Sequence, residues 1–217
     1  MALGHYQQTA EAVSGTTLLG GWQMAAAGTV GTTVSAATGG MFLAFTTFAS
    51  GCTVLGIGNL TGFTENLEFT TTQAGNSKEP DKKVANHTAT ITFDMLEFYP
   101  PNWDIIRGTN LDTSVVSTAG TFMGASPATA NTFSTGGLTA VDARAFAFYN
   151  TKMVAGTTVG TIICVYKAKA EVGLAWTPMS DHDTDPVMVT PITITAELDT
   201  TRTAGDQLFV IETEMGP

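Results

Sequence analysis

Between Thr88 and Met95 polar and apolar residues alternate without a break, with Ala89, Ile91, Phe93 and Met95 on one side and Thr88, Thr90, Thr92 and Asp94 on the other. A period of two predicts a strand with one buried and one wet face. The pattern recurs inside Val187–Thr200, where Ile192, Ile194, Ala196 and Leu198 oppose Thr193, Thr195, Glu197 and Asp199. Leu60–Thr72 reads as an extended, Thr-rich partner for Thr88–Phe98. The connector between them, Gln73–His87, holds the densest charge in the chain: Lys78, Glu79, Asp81, Lys82 and Lys83. A hairpin tip far too long for a turn is either a solvated loop or a projection built to touch something.

The remaining segments predict more strands. Ala143–Thr151, Thr161–Leu174, Val187–Thr200 and Leu208–Glu214 carry extended patterns, and Gly156 and Gly160 are expected to flank the turn between the first two. Short strands are expected near Thr29–Ser35 and Met41–Phe48. Leu111–Ala140 reads as a loop-heavy insertion or an extra hairpin. Pro100–Arg107 is the one helix: proline suits its first turn, Arg107 its last, and Gly108 can close it. The predicted class is all-β, a sandwich-like or barrel-like fold with one flanking helix and a long inter-strand loop. At 217 residues a single domain is expected over 1–217, with the Gly/Thr-rich region 1–56 and the segment 110–140 of open role.

Charge changes this picture. Only 13% of residues are charged, and the net charge is −10. None lies between Glu11 and Glu65 or between Asp112 and Asp142. Such spans suit burial between subunits or a low-complexity arm; Leu18, Leu19, Trp22, Phe42 and Phe45 favour burial. An acidic chain binds nucleic acid poorly, since cations neutralising phosphates supply that affinity. Acidity can instead repel a passing polyanion, or serve solubility alone.

Candidate chemistry is thin. Asp181, Asp183 and Asp185 have the spacing that opens a calcium loop, but Pro186 and Ile192 occupy its glycine and glutamate positions, so an Asx-rich turn fits better. His5, His87 and His182 form no metal or nucleophile set with Cys52 or Cys164, which read as buried thiols. No serine sits in a nucleophile elbow, and Gly56 and Gly58 lack the third glycine of a phosphate cradle. Neither cofactor nor metal is expected, nor is an enzyme. The uncharged run Met41–Ile57 is interrupted by Thr46, Thr47, Ser50, Gly51 and Thr53, so no membrane span is expected, and the N-terminus lacks the pattern of a secretory signal.

Several blocks together resemble the major tail tube protein of long-tailed, siphovirus-type bacteriophages. They are Gly58-Asn-Leu-Thr-Gly62, Glu65-Asn-Leu-Glu-Phe-Thr70, Gly75-Asn-Ser-Lys-Glu-Pro80, Ile91-Thr-Phe-Asp-Met-Leu-Glu-Phe98 and Pro101-Asn-Trp-Asp-Ile-Ile-Arg-Gly108. Near the end Pro191–Asp199, Arg202 and Gly205–Ile211 add to them. The resemblance implies a structural virion protein that forms hexameric rings stacked into a tail tube. Assembly would take place in the host cytoplasm, the tape measure protein and the tail terminator and tip proteins would be partners, and DNA would cross the lumen without specific binding. It further implies that Lys78, Glu79, Asp81, Lys82 and Lys83 stack one ring on the next. Glu68, Thr90, Thr92, Asp94, Thr193, Thr195, Glu197 and Asp199 would then face an acidic lumen, while Trp103, Ile105 and Ile106 pack the helix on the sheet. A secretion-type ring or tube, or a capsid decoration or fibre module, is the alternative.

Overall fold

The computed structural model describes residues 22–27, 42–44, 47–48, 52–72, 81–95, 100–107, 112–122, 125–137, 140–154, 157–170, 173, 175, 177–179 and 187–213. Its strands are β1 (Trp22–Ala27), β2 (Phe42–Ala44), β3 (Thr47–Phe48), β4 (Cys52–Thr72), β5 (Asp81–Met95), β6 (Asp112–Phe122), β7 (Ala125–Thr135), β8 (Arg144–Val154), β9 (Thr157–Lys169), β10 (Thr177–Met179), β11 (Val187–Ala196) and β12 (Phe209–Thr213). Among the described residues one helix, α1 (Pro100–Arg107), lies between β5 and β6 in the chain. The class is all-β, as the alternating patterns require.

Eight strands form one antiparallel sheet in the order β10-β11-β5-β4-β1-β8-β9-β12, and β11 also pairs with β9. That second pairing, Thr195 opposite Lys169 and Ala196 opposite Ala168, closes β11, β5, β4, β1, β8 and β9 into a ring. β12 then lies along β9 where β11 leaves it, from Phe209 opposite Val165 to Thr213 opposite Thr161. The pairs β2–β3 and β6–β7 stand apart as two-stranded sheets.

The ring is filled by the apolar halves of its strands: Met24, Ile91, Phe93, Met95, Phe146, Phe148, Ile163, Val165, Ile192 and Ile194 are buried in one cluster. β1, β8 and β9 are buried on their other face too, where Ala25, Ala147, Tyr149, Ile162, Cys164 and Tyr166 form a second cluster. Burial on both faces accounts for the unbroken apolar runs of β8 and β9, which lack the alternation of β5 and β11. A bulge in β9, between the rungs Phe146–Val165 and Arg144–Ala168, changes which residues point inward. Ala168 and Ala170 join the core, and Lys167 and Lys169 stay outside.

Helix α1 is wedged against this body. Trp103 and Ile106 are fully buried in the main cluster and Ile105 packs against it. Asn102 Nδ2 donates to the Leu55 carbonyl at 2.6 Å, tying the helix to β4. The Arg107 guanidinium stands 6.0 Å from the Trp103 ring centre and reaches Thr135 Oγ1 on β7 at 3.4 Å.

Pro100–Arg107 is helical as expected, and the segment after it takes the hairpin form. β1 and β10 were not expected, and β4 begins at Cys52 rather than Leu60, continuing through Gly56 and Gly58. Gly160 does not flank a turn; it pairs with Thr151 inside the β8–β9 ladder. β11 stops at Ala196, short of the expected Thr200. The strand expected near Thr29–Ser35 lies outside the described residues. Cys52 and Cys164 are free thiols. Burial raises both, pushing Cys164 up to about 12, so it is a poor nucleophile.

Candidate assembly surface

β4 pairs with β1 only from Cys52 to Gly58, and β5 pairs with β11 only from Ala89 to Met95. Beyond both limits, among the described residues, Asn66–Thr72 and Asp81–Thr88 pair with each other alone, from Asn66 opposite Thr88 down to Thr72 opposite Asp81. They form a two-stranded arm. The ladder corrects the expected connector: its second half is strand, and only residues 73–80 lie between β4 and β5, outside the described residues.

The two faces of the arm differ. One continues the core face: after Phe63, whose ring meets Phe209 edge-on at 4.9 Å, come the rungs Leu67–His87, Phe69–Val84 and Thr71–Lys82. A bulge between Glu68 and Phe69 keeps Phe69 opposite Val84. On the body such positions are buried; on the arm Leu67, Phe69 and Val84 are 45%, 56% and 52% exposed. At the root of the arm His87 Nε2 lies 2.6 Å from Glu65 Oε1. Both border a cleft of about 230 Å³ whose far wall is Leu198, Gly205, Leu208 and Phe209. Ile211, 49% exposed, follows on β12.

The other face is the Thr-rich one. Its rungs are Thr193–Thr92, Thr195–Thr90–Thr64, Asn66–Thr88 and Glu68–Asn86, with Asp94 between Pro191 and Asn59. Thr90, Thr92, Asp94, Thr193, Thr195 and Glu197 are half-buried there and Glu68 is exposed. Asp199 departs from the expected set. It is 4% exposed, because the strand has ended and its side chain turns in to accept from the Thr201 amide at 3.1 Å and the Thr201 hydroxyl at 2.7 Å. This face also carries lysines. Lys167 and Lys169 bind the two oxygens of Glu197 at 3.3 and 3.2 Å, brought there by the β9 bulge, and Lys83 sits opposite Thr70. Among described side chains these three cations stand against Glu68, Asp94 and Glu197, so the face is near neutral.

Residues 197–208 are held as a folded loop beside the cleft. Arg202 stacks 3.6 Å over the Tyr166 ring and its Nε donates to the Asp206 carbonyl at 2.9 Å. The Tyr166 hydroxyl donates to Asp206 Oδ1 at 2.6 Å. That bond first, and Arg202 with it, hold the Asp206 carboxyl below its ordinary value against partial burial. Burial alone would raise Glu197, but Lys169 and Lys167 outweigh it and lower it. Both folded values lie below the unfolded ones, so their contribution is complete above about pH 5 and is lost as pH falls through the unfolded and then the depressed folded values. We expect amide exchange at Tyr166 and Asp199 to speed up relative to the β5 core between pH 5 and 3, after correction for intrinsic rates. Unchanged protection would contradict this.

Of the residues expected to stack rings, Lys82 and Lys83 are exposed on opposite faces of the arm, and Asp81 is a ladder residue at its far end. Lys78, Glu79 and the triplet Asp181, Asp183 and Asp185 lie outside the described residues. Among those described, no group of three metal-ligating side chains comes together, and no helix is long and apolar enough to cross a membrane. The stripe Leu67, Phe69 and Val84 escaped the sequence reading. Its signal was apolar residues at alternate positions within a Thr-rich and charged stretch.

No protein-family model matches the chain, and no curated protein matches it. Among solved structures it is similar to the tube-terminating cap of the anti-feeding prophage, at 15% identity over 74% of this chain and 85% of that one, with a TM-score of 0.38. It is also similar to the sheath–tube complex of an extracellular contractile injection system in its extended state, at 10% identity over 94% and 95% of the two chains, with a TM-score of 0.37. Likenesses this distant carry no argument about what the chain does.

Proposed function

We propose that this chain is a structural subunit of a tail-tube type, whose activity is self-assembly. The observation that carries the reading is the arm: a two-stranded ribbon with Leu67, Phe69 and Val84 exposed along one face. An isolated hairpin is marginal in water, and an exposed apolar stripe on it marks a contact surface. The sequence blocks that resemble tail tube proteins include the first strand of this arm, within Glu65–Thr70. In the finer reading, six copies join edge to edge into a ring, and rings stack through the arm and its residues Lys78, Glu79, Asp81, Lys82 and Lys83. The tube caps its ends with terminator and tip proteins, encloses a tape measure protein, and delivers a phage genome. Thr90, Thr92, Thr193 and Thr195, with Glu68, Asp94 and Glu197, line its bore. With Lys83, Lys167 and Lys169 beside them, low friction comes from hydroxyls that bind phosphate weakly, more than from net repulsion.

Phe69→Asp tests the stripe. Its side chain is more than half exposed, so folding loses little, while a carboxylate at the centre of an apolar contact is desolvated without a partner. We expect a melting temperature close to wild type and loss of stacked assemblies in negative-stain images. Normal tubes from the variant would overturn the role of the arm.

A further inference from the structure

The arm stripe needs a receiving surface, and the molecule carries a fitting one at the root of the same arm. At about 230 Å³ the cleft is smaller than the roughly 300–1,000 Å³ of small-molecule sites. It has the size of a side-chain socket. Its apolar wall is Leu198, Leu208 and Phe209. Its acidic rim is Glu65, whose side chain is 44% exposed. The stripe offers the complement, an apolar pair at Phe69 and Val84 followed on the same face by Lys82, which is exposed. Three of the chain's nine basic residues, Lys78, Lys82 and Lys83, fall at this end of the arm, while the chain as a whole is acidic.

Resting on the assembly reading above, we infer that the cleft is the socket for the arm of a second copy of this chain. Phe69 and Val84 of the incoming arm meet Leu198, Leu208 and Phe209, and Lys82 meets Glu65. Plug and socket are different patches of one subunit, so the contact is heterologous. It leaves a free plug at one end and a free socket at the other, and repeats into an open stack. The folded loop 197–208, clamped by Arg202, keeps the socket wall formed before the arm arrives, which lowers the ordering cost of docking.

Mixing disabled copies tests this. Phe69→Asp removes the plug and keeps the socket. Glu65→Arg reverses the socket rim against Lys82 and keeps the plug, and Gln207→Trp, at another residue lining the cleft, is a second socket variant. Circular dichroism checks that each is folded. Each variant alone is expected to stop at the unstacked unit, one copy or one ring, in sedimentation at high concentration. An equimolar mixture of plug and socket variants is expected to double that unit and go no further. If wild type stacks but the mixture does not pair, or if both folded socket variants stack like wild type, the arm is received elsewhere, by an arm-to-arm contact or another surface, and the inference falls while the assembly reading stands. If wild type does not assemble at all, both fall.

Discussion

Trp103→Ala is expected to destabilise the subunit by about 3–5 kcal/mol, the range for removing a fully buried large aromatic. Trp103 is completely excluded from solvent in the main cluster, and it is where α1 meets the ring of strands. Its loss leaves a cavity that the surroundings cannot readily close. On one side Asn102 holds the helix to the Leu55 carbonyl; on the other Arg107 reaches the β6–β7 hairpin. Tethered at both sides, the helix cannot slide in to fill the gap, and Arg107 loses the ring beneath it. For a domain of this size each kcal/mol shifts the melting temperature by roughly 2–4 °C, so thermal unfolding is expected roughly 6–20 °C below wild type. A shift of only a degree or two would mean that α1 is not part of the core. Ile105→Ala, at the half-buried edge of the same helix, is expected to cost less.

Gly58→Ala is expected to be as damaging, for a different reason. A Cβ at Gly58 would stand 2.0 Å from the Asp94 carbonyl oxygen and 2.8 Å from the Phe93 ring. The nearer obstacle is backbone, which has no rotamer to change. The strands must separate at the rung Gly58–Met95, where β4 leaves β1. Overpacking typically costs 1–3 kcal/mol, and here it also breaks ladder hydrogen bonds, so about 3 kcal/mol or more is expected by denaturant unfolding. Gly62→Ala supplies the control. There the added carbon meets the Thr92 hydroxyl at 2.8 Å, the movable end of a side chain, and the cost is expected to be much smaller. Equal costs at the two glycines would contradict the close approach of β4 and β5 at Gly58.

These residues show what a period of two can and cannot reveal. β5 and β11 were legible because each has one wet face, and α1 because Pro100 and Arg107 mark its ends. β1, six residues paired between β4 and β8, reads Trp-Gln-Met-Ala-Ala-Ala and offers no alternation to find. The start of β4 was hidden by Gly56 and Gly58, which look like strand breakers; Gly56 is there because its backbone takes a positive φ of 140°, and Gly58 because two strands come too close for a side chain. Ring closure through Thr195–Lys169 and Ala196–Ala168 depends on a bulge whose single extra residue leaves no mark in a local pattern. Of the candidate surface, the Thr-rich face could be read from sequence, and the apolar stripe could not be told from buried strand. Leu67 and Phe69 continue the core face of the fold, and only the end of the β1 and β11 ladders exposes them. Asp199 was assigned to the wet face by extending the alternation past Ala196, where the chain has already turned.

The account rests on the apolar face of the arm being finished by another copy of the chain. Negative-stain electron microscopy of the purified wild-type protein, taken from dilute to concentrated solution, tests that most directly. Hollow stacked tubes that lengthen with concentration, and that vanish in Phe69→Asp, are the predicted result. A monodisperse single subunit at every concentration would contradict it.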